Sequence, residues 1–143
     1  MIKFTPKSRQ IKILEQQLLD SELIIEDCLF EAKKMYLEDV WYHNYLHALW
    51  VANYALNLRQ TWLSPIEVRS LIVAWLFHDA WHNWTADLLD EFISLDLFYK
   101  IFPQIQEKNP SFVIDYEIVR HSIMWSVFKN RSKNTNRYAQ ILA

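Results

Sequence analysis

SPIEVRSLIVAWLFHDA, residues 64–80, is the stretch whose reading decides the fold. Ser64 and Glu67 stand at capping-box spacing, and Pro65 takes the first helical position, where a missing N–H costs nothing. The run from Leu71 to Phe77 is apolar on nearly every side, as befits a helix enclosed by neighbours. Seven residues cannot cross a bilayer, which takes about twenty. The stretch predicts a central buried helix reaching His78, with other helices packed around it.

Reading outward from that helix gives a chain of further helices. Thr5-Pro6 offers a cap and a first helical position, followed by Ile11, Leu14 and Leu18 at helical spacing. Ser21 can restart a helix whose buried stripe is Leu23, Ile24, Cys28, Leu29 and Met35. A third helix is predicted over roughly 42–62 and a fifth over 88–102. Pro103 and QIQEKNPS are expected to form a loop, after which Asp115 caps a sixth helix through about Phe128. KNRSKNTN reads as a solvated basic loop, and Arg137 to Ala143 as the start of a further helix.

Composition narrows the class. The chain of 143 residues contains no glycine, so tight primed turns and glycine-rich phosphate loops lose their usual occupant. P-loop and dinucleotide-binding folds are thereby excluded, and one all-α domain spanning 1–143 is expected. A formal charge of −2 offers no extended nucleic-acid surface and no attraction to anionic membranes. Cys28 is the one cysteine and forms no intramolecular disulfide; it reads as a small core residue in a reducing compartment. With no signal-peptide pattern in MIKFTPKSRQIK, a cytoplasmic protein is expected. Trp41, Trp50, Trp62, Trp81 and Trp84 cannot all be buried in so small a domain, which favours a homodimer.

Four of the five histidines fall in two windows, WYHNYLHALWV (41–51) and LFHDAWHN (76–83). His43 and His47 are i and i+4, on one helix face with Val51 and Tyr54 beyond them. His78 and Asp79 adjoin the end of the apolar helix, and His82 follows four residues on. Imidazole and carboxylate are the ligands a borderline divalent cation accepts, and Asp79 is costly to bury unless something compensates its charge. Taken singly, each histidine reads as a hydrogen-bonded core residue and Asp79 as a helix-end residue meeting solvent. The clustering favours a metal.

With these windows the sequence resembles the HD-domain metal-dependent phosphohydrolases, whose pattern is H…HD…D. Tyr42-His43-Asn44 with His47 is similar to a YHNxxH element found in cyclic-nucleotide phosphodiesterases and in a small predicted HD branch. Phe77-His78-Asp79-Ala80 resembles that branch's FHDA. Asp90-Glu91-Phe92-Ile93-Ser94 resembles its NExxS. The resemblance covers roughly residues 35–143 and implies a compact helical HD-like bundle.

It implies His47, His78 and Asp79 as ligands of a divalent ion (Mn, Mg, Fe or Zn), with His82 a further histidine at the metal. His43 matches the proton donor to the leaving oxygen, and Glu91 an acidic residue that orients water or supports a ligand. The implied substrate is a small phosphorylated compound, a nucleotide or phosphate ester. Asp79 would accept a proton from the attacking water, and Arg120, Lys129 and Arg131 are candidates to steady the phosphate.

The family's fourth ligand is a late aspartate, expected where the chain closes with RYAQILA. The reading therefore expects a C-terminal truncation, with that ligand in a longer protein; Asp115 looks like a helix cap instead. His121 is either a ligand of a second ion or an ordinary core or surface histidine. Two alternatives stay open: a helical binding module with an incomplete site, and a zincin-like hydrolase built on His78-Asp-Ala-Trp-His82.

Overall fold

The computed structural model describes residues 7–36, 45–78 and 89–124. Among these there are six α-helices and no strand: α1 (Lys7–Asp20), α2 (Glu26–Met35), α3 (Tyr45–Ala55), α4 (Pro65–Phe77), α5 (Leu89–Lys108) and α6 (Tyr116–Ile123). The protein is an all-α bundle, as expected. None of the described helices is long and apolar enough to cross a membrane.

Helix α4 lies at the centre, packed chiefly against α3 and α6, while α1 covers α3. Val68, Leu71, Ile72, Val73, Ala74, Leu76 and Phe77 are all buried. Its start is the predicted capping box: Ser64 Oγ accepts from Glu67 N at 3.2 Å, and Ser64 N donates to Glu67 Oε1 at 2.9 Å. Losing such a cap costs about 1 kcal/mol. Ser64→Ala is accordingly expected to lower the unfolding free energy by that amount, seen as a lower urea midpoint with an unchanged slope; an unmoved midpoint would show the cap to be idle.

Two polar residues on this apolar helix are satisfied by remote chain. Ser70 is fully buried, donates to Ile66 O at 2.7 Å and accepts from Asp115 N at 2.8 Å. Arg69 donates from Nε to Leu23 O at 2.9 Å and from Nη1 to Val113 O at 3.2 Å, its guanidinium 4.9 Å from the Phe112 ring centre. Together they tie the α1–α2 and α5–α6 connections to the central helix.

Asp115 caps α6, accepting from Glu117 N and Ile118 N. The core of the α4–α5–α6 side is aromatic. Phe98 is fully buried and meets Phe77 edge-on at 5.6 Å and Phe102 in a stacked pair at 5.1 Å.

Three sequence-based boundaries are corrected. Ser21 does not restart a helix: its hydroxyl donates to Leu18 O and accepts from Leu23 N, closing the turn after α1. Glu22, at φ 63°, takes the left-handed position that glycine would fill in a chain that had one. Leu23 and Ile24 still reach the core, but from that turn, and α2 begins at Glu26. The third helix tightens into a 3-10 segment over Leu56–Gln60 instead of running to Trp62.

Pro103 lies inside α5 and does not end it. Proline removes one hydrogen bond there, but Phe102 and Ile105 on either side of it are buried, and that burial outweighs the loss. The helix closes at Asn109, whose side chain donates to Ile105 O at 2.9 Å and to Asp27 Oδ2 at 2.8 Å. The expectations for KNRSKNTN and for the last residues lie outside the described residues.

Candidate metal site

Helix α3 approaches α4 closely because its inward positions are small. Ala48, Ala52 and Ala55 are fully buried, as is Ala74 on α4. The start of α3 lies beside the end of α4, so His47, on the first turn of α3, faces His78, the C-cap of α4. Both are half-buried. Their ring centres stand 6.4 Å apart with the planes inclined at 50°. A cation holding one nitrogen of each ring at about 2 Å bridges a gap of that order.

The tautomer of His78 follows from its hydrogen bond. Nδ1 lies 2.7 Å from the carbonyl oxygen of Trp75. A carbonyl only accepts, so Nδ1 carries a proton, and in the neutral ring the lone pair lies on Nε2. Metal-ligating histidines are commonly oriented this way, by donating their second nitrogen to a backbone carbonyl. Beyond the histidines the same seam is aromatic: Tyr54, on the face of His47, stacks on Trp75 at 6.0 Å with planes inclined at 3°.

His47 and His78, thirty-one residues apart in the sequence, are thus brought together. Among the described residues they do not form a cluster of three or more metal-ligating groups. His43, Asp79 and His82 lie outside the described residues, and so does the side chain of Glu91, whose backbone is in the first turn of α5. The donors that are described, two imidazoles on facing helices, suit a borderline divalent cation. Ser94, from the element that resembles NExxS, is fully buried within α5.

Other candidates sit elsewhere. Arg120 pairs with Glu117 at 2.6 Å and also approaches His121 Nε2, itself 3.5 Å from the same carboxylate. His121 thus belongs to an exposed surface network on α6. Lys129 and Arg131 lie outside the described residues. Cys28 is fully buried, and that burial pushes its thiol up to about 12, so it is the core residue expected and no nucleophile. Of the exposed tryptophans expected, Trp50 and Trp62 are indeed open, at 57% and 63%; Trp41, Trp81 and Trp84 lie outside the described residues. The zincin-like alternative needs His78 and His82 in one helical register, and His82 lies outside the described residues.

One neighbour of the site had no signal in the sequence. Tyr36, just past α2, donates its hydroxyl to Leu76 O near the end of α4. No motif marks it, and its partner lies forty residues away.

No protein-family model, curated protein or solved structure matches this chain. The likeness to HD phosphohydrolases therefore rests on the quoted sequence motifs alone.

Proposed function

We propose that the chain is the helical core of a metal-dependent phosphohydrolase acting on a nucleotide or another small phosphate ester. The supporting observation is the His47–His78 pair, held across two helices with the His78 tautomer set by Trp75 O. His47 and His78 would hold the ion together with Asp79, and with His82 beside them. When bound, a divalent cation supplies positive charge to the phosphoryl oxygens and acidifies water.

The residues of the chain do the rest. His78, its Nδ1 donating to Trp75 O, would coordinate through Nε2. Asp79 accepts the proton of the attacking water, and His43 gives one to the leaving alkoxide. Glu91 orients that water or supports a ligand. No glycine-rich loop is needed in a site whose positive charge comes from an ion.

The test is phosphate or nucleoside monophosphate release by the purified protein with added Mn²⁺, Mg²⁺, Fe²⁺ or Zn²⁺. Turnover is expected to stop on chelation, and His43→Ala to lower kcat by about 10²–10⁴-fold. Turnover that survives the double change His78→Ala and Asp79→Ala would refute the reading.

A further inference from the structure

A residue that lies outside both histidine windows contacts a member of each, Leu76 in one and Tyr45 in the other. We propose that Tyr36 is a positioning residue that sets the separation of His47 and His78; this rests on the metal-site reading above. Tyr36 is the C-cap of α2 and turns out of the helix with φ −84° and ψ 131°. It is 7% exposed, so both ends of its side chain work inside the protein.

The hydroxyl end holds α4. It donates to Leu76 O, two residues before His78. The last carbonyls of a helix have no partner within it, and here two successive ones are taken by side chains: Trp75 O by His78 Nδ1 and Leu76 O by Tyr36. The turn that presents His78 is thereby pinned from α2.

The ring end holds α3. It packs on Tyr45 with centres 6.1 Å apart and planes inclined at 49°. Tyr45 is the first residue of α3, two before His47, and points into the core while donating to Glu15 Oε2 on α1 at 2.6 Å. Residues two apart on a helix face nearly opposite ways. Tyr45 therefore lies on the core side of the turn whose other side presents His47. Tyr36 spans the two anchor points, each two residues ahead of a histidine. A phenylalanine there would keep the brace on α3 and release the grip on α4.

The experiment is titration of the metal-free, full-length protein with Co²⁺, read by visible absorption and calorimetry at a temperature where circular dichroism shows each variant folded. Tyr36→Phe is expected to weaken Co²⁺ binding tenfold or more and to alter the cobalt spectrum, the effect known for groups that orient a ligand. Tyr45→Phe, which loses the Glu15 bond but keeps the ring contact, is expected to stay within twofold of wild type. Tyr36→His, which retains a ring and a donor, should recover part of the loss and carries the test if Tyr36→Phe does not fold. Wild-type affinity and spectrum in Tyr36→Phe would overturn the assignment, as would an equal loss in Tyr45→Phe. Wild-type protein that binds Co²⁺ no better than the His47→Ala, His78→Ala double variant would instead overturn the metal-site reading, and the role of Tyr36 with it.

Discussion

His78→Ala is expected to lose divalent-cation binding by more than 100-fold while leaving the fold in place. Two contacts set that expectation. The ring of His78 stands 6.4 Å from that of His47, and its Nδ1 is engaged by Trp75 O, so what the substitution removes is a pre-oriented nitrogen donor. Loss of a group that merely orients a ligand costs about 10–100-fold in metal affinity, and loss of the ligand itself should exceed that.

The fold is spared because His78 is only half-buried and sits at the end of α4, past the buried run that organises the core. A cation that binds only the folded state also stabilises it, by about 2.7 kcal/mol at a hundred times its Kd. Wild-type protein should therefore show a Tm that rises with added Mn²⁺ or Zn²⁺, and His78→Ala a Tm that does not. Metal content and a cation-dependent Tm equal to wild type would remove His78 from the site.

Phe98→Ala carries the largest expected effect on stability. Phe98 is fully buried and its ring meets Phe77 on α4, Phe102 on α5 and Tyr116 on α6, at 5.6, 5.1 and 5.8 Å. Truncation leaves a cavity at the junction of three helices, and changes of this kind cost about 3–5 kcal/mol. For a domain whose total stability is of the order of 5–15 kcal/mol, that is a large share. The control is Phe92→Ala on the same helix: Phe92 is 52% exposed, and surface changes usually fall within about 0.5 kcal/mol. Urea unfolding of the two variants decides it. A Phe98→Ala cost below about 1 kcal/mol would mean that the aromatic junction is not what holds α5 and α6 to the centre.

These two residues differ in how visible they are in the sequence. Phe98 stands in a helical pattern with Phe102 and is recognisable as a core position; that it joins α4 to α6 is not. His47 and His78 stand out through their motifs and their rarity, yet no spacing rule brings a residue on one helix to within one imidazole of a residue thirty-one positions later. That convergence needs the alanines Ala48, Ala52 and Ala74, whose small side chains let α3 and α4 come together.

Local chemistry was enough for the helix caps and the central apolar run. The Ser64–Glu67 box, the Asp115 cap and the apolar run Leu71–Phe77 each involve residues within a turn or two of one another, so their spacing alone determined them. The complete lack of glycine and the helical spacing of the apolar residues likewise determined an all-α chain.

What only the tertiary structure decided is where local preference met a stronger distant contact. Pro103 stays helical because Phe98, Phe102 and Ile105 are buried along α5; Glu22 accepts a left-handed backbone because Leu23 and Ile24 turn inward after it. The pairing of His47 with His78, and the tyrosine between their helices, arise the same way. Burial of apolar surface and bonds to carbonyls forty residues off are worth more than single-residue propensity, and neither has a period that can be read along the chain.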